Sequence, residues 1–390
     1  MSRYRANAPH PRKTLLALAA SAMLAPAGSW ALDLVQAPPG TVQPYVRPNV
    51  IISIDDSGSM DYRIDQEGVN GDKSITTPNT SGVWPSNSTR MNVLKYSLRS
   101  IFDTAHAKYD ATLMPDQKIR LAWQSMNGNN STPKTLPGAP STTPTKTTNS
   151  MQLLDSTHRT NFLSFVTALN PNSSTPSHGV LQQADNYMRA PLAKDGPWAS
   201  VPGTTPTPYL GCRRNYHIFM TDGRWNGTQS GGGQDNNNLN TILPNTTPFG
   251  SSTAATRPYN NLYHDPYSDL LADWTFKSWS NQLQTAVDPN GITGLQGSPQ
   301  PGADYDAAPA TENFGKDTTG KDAVLQRFWN PRYNPATWPH MVTYTIGLSK
   351  MAYTWPGVSG ATAANKCNTS MKIRAPGQTC DASNNASFNL

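Results

Sequence analysis

The residues whose types and spacing best suit a chemical role follow an apolar stretch that runs from Asn49 to Ile54. Directly after it come Asp55, Ser57 and Ser59, which place a carboxylate and two hydroxyls at i, i+2 and i+4. Hard oxygen donors of this kind suit a small divalent cation such as Mg²⁺, which keeps several waters and accepts incomplete protein ligation. The alternative interpretation is a polar turn after a strand, because Asp, Ser and Gly are common turn residues.

Two later segments favour the ion-binding interpretation. The stretch from Tyr216 to Gly223 is a second apolar run that ends in an acidic turn at Asp222, and Thr175 precedes a helical pattern over residues 178 to 188. In open α/β sheets, ligands sit outside the carboxyl ends of the strands, where the loops converge. We therefore expect one divalent cation, Mg²⁺ with Ca²⁺ or Mn²⁺ as alternatives, to be bound by five side chains: Asp55, Ser57, Ser59, Thr175 and Asp222.

The order Asp-x-Ser-x-Ser, then Thr, then Thr-Asp-Gly resembles the metal-ion-dependent adhesion site of von Willebrand factor A domains. This resemblance implies that Ser57, Ser59 and Thr175 ligate the ion directly, whereas Asp55 and Asp222 act largely through water. It also implies that one coordination position stays open for an acidic group of a partner.

A narrower resemblance is to the PilY family of proteins associated with the tips of type IV pili. Three segments carry it: Thr221 to Gly227, Asp269 to Trp274 and Pro339 to Leu348. Members of that family join an amino-terminal A-type domain to a large carboxyl-terminal β-propeller. Nothing after Leu348 has the pattern of repeated four-stranded blades. We therefore expect the chain to be a fragment, or its second half to be encoded separately.

Strand and helix patterns alternate along the chain, which predicts an α/β fold with right-handed crossovers. The expected architecture is a doubly wound, mostly parallel sheet of the von Willebrand factor A, Rossmann-like type, with long loop insertions. Strands are predicted at 49–54, 118–126, 151–154, 216–221 and 341–348. Helices are predicted at 91–102, 162–169, 178–188 and 268–285, and insertions at 127–150, 190–212, 225–262 and 286–336. The sheet core is expected to come from Ile51, Ile52, Ile54, Ile218, Phe219, Val342 and Ile346.

The first 31 residues have the form of a signal peptide. Four basic residues precede an apolar run from Leu15 to Ala25, and Ser29-Trp30-Ala31 fits a small-x-small cleavage site. The run is much shorter than the roughly 20 residues that span a bilayer. We expect a signal peptide over 1–31, an extended linker over 32–48, the A-like domain over 49–355 and a Cys-containing tail over 356–390. Export would place the protein in the periplasm, at the pilus tip or on the cell surface.

Composition limits the classes of partner. The formal net charge is +6, but four basic and no acidic residues lie in the signal segment, so about +2 remains without it. No Lys/Arg stripe interleaved with aromatic residues occurs, and we expect no nucleic-acid partner. Of the three cysteines, Cys367 and Cys380 enclose a short loop and are the expected disulfide in an exported chain. Cys212 is then left over.

The Asp-x-Ser-x-Ser motif lacks a residue that a phosphoryl-transfer enzyme needs. Phosphoryl transfer of the Asp-x-Asp type needs a second carboxylic acid two residues after the nucleophile, and position 57 is Ser. Asp56 is expected to be a solvated or capping carboxylate. We predict a non-catalytic protein without a small-molecule substrate, whose partners are pilins or minor pilins and a host or abiotic surface ligand with an acidic oxygen. The alternative is a non-adhesive pilus assembly or priming factor in which the metal is structural.

Overall fold

The structure is a computed structural model that describes residues 46–128, 135–201, 209–223, 225–226, 230–231, 241–242, 248–249, 269–285, 295, 303–316, 322–327 and 333–348. The predicted signal peptide, the tail over 356–390 and the Cys367–Cys380 pair lie outside these residues. Cys212 is described, and it is an exposed free thiol. Within the described part of the chain, no helix is both long and apolar enough to cross a bilayer.

In chain order the elements are β1 (Asn49–Ile54), α1 (Arg90–Phe102), β2 (Arg120–Ser125), β3 (Gln152–Leu153), α2 (Ser156–Ala168), α3 (Ser177–Arg189), β4 (Asn215–Thr221), β5 (Thr241–Ile242), β6 (Pro248–Phe249), α4 (Leu271–Ser280), α5 (Ala303–Ala307), β7 (Thr311–Lys316), β8 (Asp322–Gln326) and β9 (Val342–Gly347).

Five of the strands form one sheet in the order β3-β2-β1-β4-β9. Strands β2, β1, β4 and β9 run parallel, and only β3 is antiparallel, pairing with β2 at the edge. Ile54 of β1 lies opposite Met220 of β4, so both strands end at the same edge of the sheet. The predicted α/β fold with a mostly parallel sheet is confirmed.

Helices cover both faces of the sheet because the side chains of a strand alternate between the faces. Val50, Ile52 and Ile54 pack with α1 and α2 on one face. Ile51 packs with α3 on the other, where α4 also lies against α3. Each fully buried aliphatic side chain stabilises the fold by about 1.5 to 3 kcal/mol relative to exposure, so this central strand anchors both layers.

Helix α1 begins and packs as its sequence predicts. The hydroxyl of Thr89 accepts a hydrogen bond from the backbone N–H of Asn92 at 3.1 Å, which caps the helix. Met91, Leu94 and Leu98 recur on one face and are buried. The other three predicted helices are also present, with bounds shifted by up to six residues: the second begins at residue 156 rather than 162, and the fourth ends at 280 rather than 285.

The insertions hold more structure than was predicted. Residues 127–150 were expected to be a surface insertion, yet Leu136 and Asn149 are buried, and the Asn149 amide donates to the carbonyl of Trp123 at 2.9 Å. Two short hairpins, β5 with β6 and β7 with β8, form within segments that were predicted to be loops. Long-range contacts therefore order polar sequence that has no periodic pattern of its own.

Two further expectations were wrong in part. Ile346 is predicted to lie in the core but is 43% exposed, because β9 is the outermost strand on its side of the sheet among the residues that the structure describes. Ile218 and Val342 are only partly buried. Asp56 is not solvated: it is buried, and its carboxylate accepts the backbone N–H groups of Asn127 at 2.7 Å and Gly128 at 3.1 Å.

Candidate metal centre

The loop after β1 fixes the first group of predicted site residues. Asp55 and Ser57 are buried, and Ser59 is partly buried in the 3-10 turn Gly58–Asp61. Asp55 accepts the backbone N–H of Ser57 through Oδ1 at 2.9 Å and the hydroxyl of Thr221 through Oδ2 at 2.7 Å. The hydroxyl oxygens of Ser57 and Ser59 lie 3.0 Å apart. The carboxylate is therefore held between β1 and β4, and the two hydroxyls lie side by side.

Thr175 lies in the loop before α3, and that loop is bonded to both neighbouring loops. The backbone N–H of Thr175 donates to the Asn226 side chain at 2.7 Å, and the backbone N–H of Asn226 donates back to the Thr175 carbonyl at 3.1 Å. The N–H of Gly58 donates to the carbonyl of Ser173 at 3.1 Å. Ser173 has a φ of 63°, a left-handed conformation that is uncommon for a non-glycine residue.

Asp222 follows β4 and is buried against an arginine. Its Oδ2 accepts Nη1 of Arg90 at 2.8 Å, and both side chains are 1% exposed. Nη2 of Arg90 donates to Glu67 Oε2 at 2.5 Å, and its Nε donates to the carbonyl of Arg63 at 3.2 Å. Arg90 thus joins the acidic turn after β4 to the segment after the 3-10 turn.

The three loops meet at the carboxyl edge of the sheet. Gly58 with Ser173 joins the first loop to the second, Thr175 with Asn226 joins the second to the third, and Asp55 with Thr221 joins the third to the first. All five predicted residues belong to these loops: Asp55, Ser57, Ser59, Thr175 and Asp222. They remain predicted ligands, and the loops that carry them are hydrogen-bonded to one another.

The electrostatics of this neighbourhood are those of a buried acidic site. The pKa of Asp55 is raised to about 6, mainly by burial and also by the negative charge of Asp222, while hydrogen bonds from Ser57 and Thr221 act in the opposite direction. A nearby cation stabilises the ionised form of a carboxyl group that burial and a like charge disfavour in this way. Arg90 supplies one positive charge, which it divides between Asp222 and Glu67.

The donors fit a hard cation in kind, and one pair of them also has a compatible separation. All predicted ligands are oxygens, as Mg²⁺ prefers, and two neighbouring ligands of an octahedral Mg²⁺ lie about 2.8 to 3.0 Å apart. The hydroxyls of Ser57 and Ser59 are hydrogen-bonded to each other at 3.0 Å, a separation that equals this edge. Among the described residues, no group of three or more His, Cys, Asp and Glu side chains is arranged to hold a metal. A site here would depend on two carboxylates plus hydroxyls.

Sequence reasoning missed two residues that shape this centre. Asn226 lies inside the segment that carries the PilY resemblance, but its bonds to Thr175 depend on how the loop folds. Arg90 offered one signal: it is the first residue of α1, where a positive charge opposes the helix dipole. Such a position indicates a specific acidic partner, and Asp222 is that partner.

Comparison with known proteins finds one recurrent relative. The chain is 30% identical over 253 residues to the "Type IV pilus biogenesis factor PilY1" of Pseudomonas aeruginosa strain PAO1, covering 65% of this chain and 19% of the relative. Against the protein of the same name from strain PAK, identity is 32% over 191 residues, covering 49% and 14%. The chain thus spans less than a fifth of the length of these relatives.

Neither family models nor solved structures give a further relative from which the function of this chain could be inferred. No family model matches the chain. Among solved structures, the three N-terminal domains of the type V pili tip protein Mfa5 from Porphyromonas gingivalis align at 14% identity with a TM-score of 0.23, over 56% of this chain and 25% of that one. A likeness at that level does not bear on the fold.

Proposed function

We propose that this chain is an exported, non-catalytic domain of the von Willebrand factor A type that binds a divalent cation and uses it for adhesion at a type IV pilus. The proposed partners are pilins or minor pilins and an acidic oxygen on a host or abiotic surface, and the proposed location is the periplasm, pilus tip or cell surface. Similarity to PilY1 over 253 residues supports the pilus setting.

The observation that carries the ion-binding proposal is the convergence of three loops on one edge of the sheet. Parallel strands β1 and β4 bring Asp55 and Asp222 to the same edge, and the bonds of Asn226 join the Thr175 loop to the loop that follows β4. A sequence pattern alone could be a set of unrelated turns. Direct bonds between the loops make one site the simpler interpretation.

The roles of the residues follow from their chemistry. The hydroxyls of Ser57, Ser59 and Thr175 would ligate the cation, and the carboxylates of Asp55 and Asp222 would balance its charge through water. Because Arg90 already offsets part of the charge of Asp222, these two carboxylates do not fully neutralise a divalent ion. A bound Mg²⁺ would then present a positive, oxygen-seeking centre to a carboxylate of the partner.

An assembly factor is the second candidate function. The printed name of the relatives is a pilus biogenesis factor, and a metal that merely links the three loops would serve such a role. In that version, loss of the metal lowers the number of pili rather than their attachment.

The experiment that separates the two compares cells carrying wild-type protein, Ser59→Ala or Ser81→Ala. Ser59→Ala removes one proposed ligand oxygen, whereas Ser81 is an exposed serine outside the three loops and is the matched control. Pili are counted by electron microscopy, surface attachment is measured in parallel, and the amount of folded protein is checked by immunoblot with limited proteolysis.

Adhesion predicts normal numbers of pili with poor attachment for Ser59→Ala alone. Fewer pili at wild-type levels of folded protein would favour the assembly factor. Wild-type behaviour in both assays would remove the ion from either mechanism.

A further inference from the structure

Two buried arginines lie at the amino-terminal edge of the sheet, the edge opposite the three loops. Arg120 is the first residue of β2 and Arg213 lies two residues before β4, and their exposed fractions are 1% and 4%. Two other buried arginines have acidic partners: Arg90 pairs with Asp222, and Arg159 pairs with Asp116. No carboxylate of the described residues forms an ion pair with Arg120 or Arg213.

Only two of the five N–H donors of Arg120 are used. Its Nη1 donates to the Asn49 side chain at 2.9 Å and to the carbonyl of Pro197 at 2.7 Å. Its Nε and Nη2 are buried without a hydrogen-bond partner. These two nitrogens form one edge of the planar guanidinium, and such an edge binds the paired oxygens of a carboxylate or phosphate. The unused part of Arg120 therefore has the geometry of an oxyanion donor.

Arg213 adds a second incompletely bonded guanidinium beside the first. Its Nη1 donates to the carbonyl of Arg47, its Nη2 reaches the carbonyl of Ser200 at a long 3.5 Å, and its Nε has no hydrogen-bond partner. Burial lowers the pKa of Arg120 to about 9, and the positive charge of Arg213 contributes to the same shift. The sheet register gives the geometry: Arg120 and Asn215 lie on either side of Asn49, and Arg213 precedes Asn215 by two residues, so both arginines belong to the same edge and face of the sheet.

A frame of buried amides holds the two arginines in place. Asn49 donates to the Asn215 side chain at 2.8 Å and to the carbonyl of Pro197 at 3.0 Å. Asn215 donates in turn to the carbonyl of His340 at 2.9 Å and to that of Arg213 at 3.0 Å. These neutral groups fix positions but supply no negative charge. Buried charges in proteins are ordinarily paired, because an unpaired one is strongly disfavoured.

We propose that Arg120 and Arg213 form a binding site for one small oxyanion, of the carboxylate or phosphate type, at the amino-terminal edge of the sheet. The Nε/Nη2 edge of Arg120 binds two of its oxygens, and Nε of Arg213 is the third donor. The site lies at the opposite edge from the proposed metal centre and does not depend on it.

The test measures the thermal unfolding midpoint of the full chain in sodium phosphate, sulfate or acetate against sodium chloride at equal ionic strength and pH. Comparing the tetrahedral anions with acetate separates a phosphate-type from a carboxylate-type ligand. The variants are Arg120→Gln and Arg213→Gln. Arg159→Gln is the matched control, because it removes a buried arginine that already has a carboxylate partner.

Wild type and Arg159→Gln are expected to gain about 2 to 4 °C in at least one of the three anions at concentrations well above Kd. Arg120→Gln and Arg213→Gln are expected to lose that gain. If Arg120→Gln does not fold, the proposal is judged from Arg213→Gln alone, which should still lose the anion-dependent gain in the unfolding midpoint. No anion-specific gain in the wild type, or a gain that survives in the folded variants, would overturn the proposal.

Discussion

Arg90 and Asp222 form an ion pair of 2.8 Å in which both side chains are 1% exposed. The pair joins the first turn of α1 to the acidic turn after β4, and it extends to Glu67, whose side chain is 25% exposed. Arg90 therefore neutralises part of a carboxylate that is also a predicted metal ligand. It links the stability of the fold to the charge of the site.

Replacing Arg90 by Gln is expected to lower the free energy of unfolding in metal-free buffer by about 3 to 5 kcal/mol, since it leaves the carboxylate of Asp222 buried without its cation. Urea unfolding monitored by tryptophan fluorescence measures this change. Glu67→Gln is the comparison variant, because Glu67 is partly exposed and its ion pair is screened by solvent, so its cost should be at most about 1 kcal/mol. Equal losses in the two variants would argue against a special role for the buried pair.

Asn226 is expected to act on the metal centre without contacting the ion. Its side chain accepts the N–H of Thr175, so Asn226→Ala should release the loop that carries a predicted ligand. We expect metal affinity to fall about 10- to 100-fold, as with other residues that orient metal ligands. Isothermal titration with Mn²⁺ tests this against Asn79→Ala, which removes a comparable loop cap outside the three loops. Unchanged affinity in Asn226→Ala would show that Thr175 is held by other contacts or is not a ligand.

The carboxyl of Asp55 should give the metal-free protein a distinctive pH dependence. Because its pKa is raised from 3.8 to about 6 in the folded state, the folded state binds the proton more tightly than the unfolded state does. Between pH 4 and pH 7 this group therefore makes stability fall as pH rises. Relative to Asp55→Asn, wild type should lose on the order of 2 to 3 kcal/mol over that range. Urea unfolding in a chelator at several pH values measures the difference, and a constant difference would contradict the raised pKa.

His217 should act in the opposite direction at acid pH. Burial lowers its pKa to about 3, and it hydrogen-bonds Ser53 at 2.7 Å in the middle of the sheet. The stability that depends on neutral His217 is complete above pH 6.5 and is lost as pH falls toward 3, by on the order of 1 kcal/mol per pH unit. His217→Gln should unfold less steeply with acid than wild type does. His106→Gln, which removes a partly exposed histidine, is the control, and identical acid profiles for all three proteins would refute this role.

Local patterns were enough to predict the α/β class with a mostly parallel sheet, and the loops at the strand ends in which the candidate residues lie. Asp55 and Asp222 directly follow apolar runs, and an apolar run ended by an acidic turn marks a strand end wherever it occurs. Met91, Leu94 and Leu98 repeat at helical spacing. Each of these signals lies within a dozen residues, so it does not depend on knowing what packs against it.

The features that were missed depend on contacts between distant parts of the chain. Arg90 and Asp222 are 132 positions apart, and no local pattern pairs them. Leu136 lies in a Ser/Thr/Pro-rich stretch, yet packs against α3. Ile346 has the composition of a core residue, but its exposure is set by the place of β9 in the strand order. Burial at such positions is a property of the assembled sheet.

The central claim is that the three loops bind one divalent cation, and calorimetric titration of Mg²⁺ and Mn²⁺ into protein lacking residues 1–31 tests it most directly. The proteins are wild type, Asp55→Ala, Asp222→Ala and Asp72→Ala, the last removing an exposed carboxylate outside the three loops. We predict one site per chain in wild type and Asp72→Ala, and at least a tenfold loss of affinity in each of the other two, equivalent to about 1.4 kcal/mol. Wild-type affinity in both Asp55→Ala and Asp222→Ala, or no binding by the wild type, would contradict the account.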